Sequence, residues 1–329
     1  MGVQILMEGN AMAQLLTVVV PVYNETQVLE HFHRRLSAVM QASGYPYQVL
    51  YVDDGSDDDC LSLLGRLRET DPNVSVLELS RNFGKEVALS AGLDHASGDA
   101  VIVIDADLQD PPEVIPRFIE QWQQGYDVVY GLRAERRGDS ALKRHTASGF
   151  YRVMSALSDV EIPQNAGDFR LLSRRAVDTL NAQPESHRYM KGLYAWIGFP
   201  QKAVSYDREP RAAGDSKWSY WRLWNFALEG ITSFSAAPLK IATYLGLLTS
   251  SASFVYGIFL LVRTLLFGNP VPGYPSLIII VLFLGGVQLI CLGIIGEYLA
   301  RTYQESKGRS LYVLKGYHPA TAHPVDVEN

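Results

Sequence analysis

Apolar positions along this chain fall into two kinds of run. Short, β-branched runs recur through the first two-thirds, at residues 15–20, 48–52, 74–79, 101–104 and 127–130. Continuous apolar runs of this kind suit strands buried on both faces of a parallel sheet. Amphipathic stretches lie between them, at about 27–41, 57–68 and 85–96, and a further one opens at Pro111-Pro112, where proline is tolerated in a first helical turn. Strands alternating with helices predict right-handed βαβ units. Beyond residue 240 the pattern changes. Residues 241–267 and 277–299 are almost wholly apolar, and each exceeds the roughly 20 residues needed to cross a bilayer. Just before them, Arg222, Asn225, Glu229 and Thr232 form a polar helical stripe, with Trp221, Trp224, Leu228, Ile231 and Phe234 around the remainder. That pattern predicts a helix lying in the membrane interface.

The pattern divides the chain into an N-terminal extension (1–14), an α/β domain (15–218), an interfacial amphipathic helix (219–240), two transmembrane helices (241–267 and 277–299) and a C-terminal tail (300–329). Charge adds an orientation. Lys240 stands before the first span, and Arg301, Lys307, Arg309 and Lys315 follow the second, while the link 268–276 carries no charge. The positive-inside rule then puts the α/β domain and both termini in the cytoplasm, with the protein crossing the membrane more than once. Gly285, Gly286, Gly293 and Gly296 would let helices pack closely. The formal net charge of −6 argues against a broad nucleic-acid surface. The two cysteines, Cys60 and Cys291, lie in different segments, which argues against a disulfide framework and fits a reducing compartment. Residues 1–14 lack the basic and apolar regions of a signal peptide.

Chemistry is expected at the strand ends. In an open α/β sheet, ligands sit at the carboxyl ends of the strands. Three of these ends carry polar residues: Asn24 and Glu25, Asp53 and Asp54, Asp105 and Asp107. Any one alone is an ordinary acidic turn. The three converge by topology, and Asp105-Ala106-Asp107 offers the one or two carboxylates that Mg²⁺ takes alongside substrate phosphates. Neither G-x-G-x-x-G after the first strand nor G-x-x-x-x-G-K-[ST] is present, which disfavours a dinucleotide site and a P-loop.

Five motifs then occur in order: PVYNE (21–25), VDDGS (52–56), SRNFGKE (80–86), DADLQDPPE (105–113) and GDFRLLSRR (167–175). Together they resemble the inverting family 2 glycosyltransferases with the GT-A, Rossmann-like fold. RAAGDSKW (211–218), residues 223–240 and the two terminal spans narrow the resemblance to the polyprenyl-phosphate branch, which holds bactoprenol glucosyltransferases and dolichol-phosphate mannose synthases. The resemblance implies an α/β, mostly parallel GT-A domain with an interfacial helix and a two-helix transmembrane hairpin. It implies transfer of glucose from UDP-glucose to undecaprenyl phosphate at the cytoplasmic face of a bacterial inner membrane, for cell-surface glycan such as O-antigen. Mannose from GDP-mannose or a UDP-amino sugar are alternative donors, and a catalytically inactive scaffold is the alternative of another class.

By resemblance, Pro21, Asn24, Glu25, Asp53, Asp54, Lys85, Asp105 and Gln109 bind the nucleotide sugar, with Asp53 or Asp54 at the nucleobase. Asp105 and Asp107 hold Mg²⁺ or Mn²⁺, and Asp107 also counts as catalytic. Asp168 is the candidate base; toward an acceptor that is already anionic, its role shifts to orienting that acceptor or stabilising positive charge on the sugar. Arg208, Arg211 and Lys217, around a hinge at Gly214, match the family's acceptor loop. Arg133, with Arg136, Arg137, Lys143 and Arg144, is a second cationic cluster suited to the lipid phosphate. A homotetramer is implied by related enzymes.

Overall fold

The computed structural model describes residues 14–133, 166–183, 185, 188–208, 237–268 and 273–322. Contacts divide the chain into two units, the first running through residues 1–146, 161–219 and 310–329 and the second through 147–160 and 220–309.

In the first unit the expected alternation is present. Strands β1 (Leu16–Val22), β2 (Tyr47–Asp53), β3 (Val74–Leu79) and β4 (Ala100–Val103) are separated by helices α1 (Thr26–Ser43), α2 (Cys60–Thr70) and α3 (Lys85–His95). β1 and β2 bury nearly every residue, as apolar strands covered on both faces must. Helix α1 buries Leu29, Phe32, Leu36 and Met40, spaced three or four apart, with Val28 beside them, and so lays one stripe on the sheet. It stops at Gly44, whose φ of 74° is the left-handed cap that glycine adopts without a Cβ penalty.

After Pro111 the chain makes one 3₁₀ turn (Pro112–Val114) before α4 (Ile115–Gln123). Strand β5 (Val128–Arg133) follows, then β6 (Ala166–Ser173), α5 (Arg174–Asn181), α6 (Met190–Trp196) and β7 (Gln201–Tyr206). A last strand, β8 (Leu314–His318), comes from the C-terminal segment. The sheet order is β7-β5-β6-β4-β1-β2-β3-β8. β1 is parallel to both β2 and β4, so the order reverses beside β1, the switch point where α/β sheets bind ligands.

Two features depart from the pattern read along the chain. The segment carrying Asp168 is a strand, not a loop: β6 runs antiparallel between β4 and β5. Asp168 and Arg170 alternate along it with Phe169 and Leu171, and all four are buried, so neither face of the strand meets solvent. The segment expected as a tail also returns to the sheet, where β8 lies antiparallel to β3. Its sequence, LKGYH, has little strand character. Backbone pairing at an open edge and side-chain ties fix it instead: Lys315 to Glu78 at 2.6 Å, Tyr312 Oη to Asp94 at 3.1 Å, and Arg68 Nε to the Pro319 carbonyl at 3.1 Å.

The described part of the second unit contains two helices, α7 (Ala237–Phe267) and α8 (Tyr274–Ser306). Both are long and apolar enough to cross a membrane. Leu248, Phe254, Leu265 and Leu282 are exposed, an apolar surface that water would not tolerate over such an area. The Cys291 thiol donates to the Ala242 carbonyl at 3.5 Å, tying the two helices together. Of the expected interfacial helix, only residues 237–240 are described, and they are the first turn of α7.

Candidate active site

Strands β4, β1 and β2 are neighbours in the sheet, so their carboxyl ends deliver the three polar pairs to one edge. Two of the turns there hold a non-glycine residue at positive φ: Asn24 at 57° and Leu108 at 60°. For a leucine this is an outlier, and such strain persists only where the surroundings enforce it. Leu108 is buried, which anchors the turn between Asp107 and Gln109. The Asp107 carboxylate accepts from the Gln109 N–H at 3.1 Å and holds the same turn.

The register of β4 with β6 pairs Val103 with Arg170. Carried two residues further, it faces Asp105 with Asp168. Lys85, the first residue of α3, closes that gap. Its Nζ donates to Asp105 Oδ2 at 2.7 Å and to Asp168 Oδ2 at 2.6 Å. Among the described residues, the other Asp168 oxygen, Oδ1, is buried with no hydrogen-bond partner. Burial works to raise the Asp168 carboxyl, but the Lys85 ammonium, helped by Lys191 and Arg170, holds it well below the usual carboxylate range. Burial would lower Lys85, and the two carboxylates outweigh it and keep the ammonium charged. Burial, partly offset by Lys85, raises Asp105. The result is an ionised Asp168 with one oxygen open.

At the end of β2 the carboxylates are used differently. Asp53 accepts from the Ser56 hydroxyl at 2.5 Å and from the Ser56 N–H at 3.3 Å. The same hydroxyl accepts from the Asn24 N–H at 3.1 Å, and Asn24 Oδ1 accepts from the Asp57 N–H at 2.8 Å. Asn24 is thereby joined to the β2 end. Pro21 pairs in register with Val52, and Glu25 caps α1. Asp54 instead grips the loop before α3, accepting from the Phe83 N–H at 2.7 Å and the Gly84 N–H at 2.9 Å. Burial raises both carboxyls, and these hydrogen bonds draw them part of the way back.

Of the cationic candidates, Arg133 and Arg208 are described. Arg133 donates to the buried Asp110 at 3.2 Å and to the Tyr206 hydroxyl at 3.3 Å, so its charge already has a partner. Tyr206 also donates to Asp110. The Arg133 guanidinium lies so close to Gly167 that a Cβ there would come within 2.7 Å of it. Arg208 donates to Gln109, which joins a residue expected at the acceptor to one expected at the donor. Arg136, Arg137, Lys143, Arg144, Arg211 and Lys217 lie outside the described residues.

Sequence reasoning passed over several neighbours. Arg170, buried, donates to the Gly167 carbonyl at 2.7 Å and the Asp168 carbonyl at 3.3 Å and stacks 3.5 Å above the Tyr194 ring. Glu86 accepts from the Met190 N–H at 3.1 Å, and burial together with the Asp168 charge pushes its carboxyl up to about 7. Both lie inside the five ordered motifs. Their signal was a charged residue next to an apolar run, which also describes any solvated helix or strand end.

Known proteins carry the same combination of parts. Residues 17–180 match the family described as "Glycosyl transferase family 2", and residues 237–302 match "GtrB C-terminal hairpin". An uncharacterised glycosyltransferase of Synechocystis is 50% identical over 91% of this chain and 94% of its own length. A bactoprenol glucosyl transferase of Shigella phage SfV is 50% identical over 91% of this chain and 98% of its own. A mannosyltransferase of Pyrobaculum calidifontis, solved with GDP-Man and Mn²⁺, is 18% identical over 88% of each chain, with a TM-score of 0.44. The chain is a glycosyltransferase and belongs to glycosyl transferase family 2, in the branch that joins this catalytic domain to the C-terminal hairpin and contains the bactoprenol glucosyl transferases.

Proposed function

We propose that this enzyme transfers glucose from UDP-glucose to undecaprenyl phosphate at the cytoplasmic membrane face, with inversion. The observation that carries the reading is the Lys85 bridge between Asp105 and Asp168, with Asp168 Oδ1 unpartnered among the described residues. Bactoprenol glucosyl transferases at about half identity over nearly the whole chain support the sugar and the lipid.

The donor would lie across the switch point. Asp53, Ser56 and Asn24 form its nucleoside end, and Asp105, Asp107 and Gln109 its diphosphate end. No group of three or more metal-ligating side chains occurs among the described residues. Two carboxylates are nevertheless the donor set that Mg²⁺ or Mn²⁺ takes when substrate phosphates complete the shell, so Asp105 and Asp107 fit such an ion. A cation held there would supply charge neutralisation for the departing diphosphate. Lys85 adds a fixed positive charge at the same place, where negative charge develops in the transition state.

Asp168 flanks the opposite side of the reacting carbon in this reading. An acceptor phosphate is already anionic near neutral pH, so Asp168 need not remove a proton. Held ionised by Lys85, it stabilises the positive charge that grows on the sugar ring as the glycosidic bond lengthens. Arg208, at the end of β7, starts the cationic loop that Arg211 and Lys217 continue, and these residues meet the lipid phosphate. A polyprenyl chain resists leaving the bilayer, since each buried CH₂ is worth about 0.8 kcal/mol. The sugar is therefore delivered at headgroup level, and α7 and α8 form the hairpin that holds the domain there.

The test offers purified enzyme a panel of UDP- and GDP-sugars with undecaprenyl phosphate and identifies the lipid product by mass spectrometry. Undecaprenyl-phosphate hexose from UDP-glucose alone supports the proposal. Product from GDP-mannose or a UDP-amino sugar, and none from UDP-glucose, would replace the sugar while keeping the reaction.

A further inference from the structure

We propose that Asp54 is a positioning residue for Lys85 rather than a contact to the nucleotide. The proposal deepens the site described above and rests on the reading that Lys85 serves the transfer reaction.

The Asp54 carboxylate points into the protein, and the residue is 3% exposed. Its two oxygens accept from two successive backbone N–H groups, Phe83 at 2.7 Å and Gly84 at 2.9 Å, which are 29 and 30 residues away in the chain. Successive N–H groups at the mouth of a helix form a concavity that binds anions, and here the anion is the protein's own carboxylate. Those donors are therefore already occupied. Among the described residues, the Asp53 carboxylate, one residue earlier, is hydrogen-bonded locally by Ser56, whose hydroxyl also meets Asn24.

The gripped loop leads straight into the site. Gly84 precedes α3 at φ 99°, and Lys85 is the first residue of the helix. A rigid Gly84 therefore sets the origin of the Lys85 side chain, which must reach two carboxylates at 2.6 and 2.7 Å at once. Glycine itself would not provide that rigidity, because it is the most freely rotating residue. A second contact locks the same loop. Gly55, at φ 66°, lies so close that a Cβ on it would be 2.5 Å from the Arg81 carbonyl carbon. The chain Asp54–Gly84–Lys85–Asp168 thus carries the position of the β2 end to the reacting face of the site.

Three measurements on the full-length protein test this, with Asp54→Asn and Asp54→Glu as variants. The first keeps the shape and loses one acceptor, and the second keeps the charge and lengthens the arm. UDP affinity, measured by calorimetry without acceptor, should stay within about threefold of wild type. Turnover at saturating donor should fall at least about tenfold. The rate at which N-hydroxysuccinimidyl acetate acetylates Lys85, read by mass spectrometry against the exposed Lys202, should rise at least about fivefold. The labelling readout needs no assumption about substrate. An inactive wild-type enzyme with UDP-glucose would therefore sink the functional reading alone. Unchanged Lys85 labelling in whichever variant folds, or a tenfold loss of UDP affinity with turnover preserved, would overturn the positioning role.

Discussion

At the end of β2, the lone pairs of Asp53 and Asp54 go to the chain itself: a serine hydroxyl, a serine N–H and two N–H groups of a distant loop. Across the edge, Asp105 and Asp168 share one ammonium, and Asp168 keeps an oxygen without a partner among the described residues. Both pairs are acidic residues at the carboxyl end of the same sheet. The first pair is held by neighbours in the chain itself, and Asp54, gripping a distant loop, builds the site. The second is bridged by a single ammonium, which leaves the remaining Asp168 oxygen for a ligand. Acidic residues near a switch point thus differ in role by what already satisfies them.

The largest expected effect falls on the reactive side. Asp107→Asn, or chelation with EDTA, should lower transfer by about 1000-fold, because the charge on the departing diphosphate then lacks its counter-ion. The substituted protein should keep its unfolding midpoint. Full activity in chelator would remove the metal from the reaction.

On the building side, two glycines with similar positive φ separate space from backbone strain. At Gly44 (φ 74°) a Cβ would meet nothing within 4 Å, whereas at Gly55 (φ 66°) it would meet backbone at 2.5 Å. Gly44→Ala should cost about 1 kcal/mol, the ordinary penalty of a left-handed alanine. Gly55→Ala adds overpacking and should cost about 3 kcal/mol. Urea unfolding in detergent micelles measures both. Equal costs would mean that the Arg81 loop is not locked against β2.

The smallest effect is a slope with pH. The Glu86 carboxyl is raised from its ordinary 4.5 to about 7. Between those values the folded protein holds a proton that the unfolded chain has released, so stability falls as pH rises. This contribution is complete below pH 4.5 and is lost as pH passes through about 7. Unfolding midpoints at about pH 5.5 and about pH 8, either side of the raised value, should differ less in Glu86→Gln than in wild type. An unchanged difference would mean that Glu86 titrates normally.

Much of this was legible in the sequence, because β1 to β4 are apolar runs whose burial dictates their form and whose ends carry the acidic pairs. The two long apolar helices were legible for the same reason, although α8 continues to Ser306, past the expected boundary. What stayed hidden depends on partners far away in the chain. β6 offers only a short alternation, Asp168 to Leu171, and its Arg170 is buried by stacking on Tyr194, while β8 is a strand only because β3 offers an open edge. Nothing local distinguishes Asp53 from Asp54. The difference lies in a loop 30 residues downstream. Lys85 likewise looks like the start of a helix until α3 is docked on β1 and β2, which brings its ammonium to Asp105 and Asp168.

Asp168 carries the central claim. Transfer from radiolabelled UDP-glucose to undecaprenyl phosphate should fall by about 1000-fold in Asp168→Asn, within the range that a preorganised electrostatic group contributes. UDP affinity, measured on the same preparation, should remain within about threefold of wild type, a change of under 1 kcal/mol. Undiminished transfer by Asp168→Asn would contradict the central claim, and so would a loss confined to UDP binding.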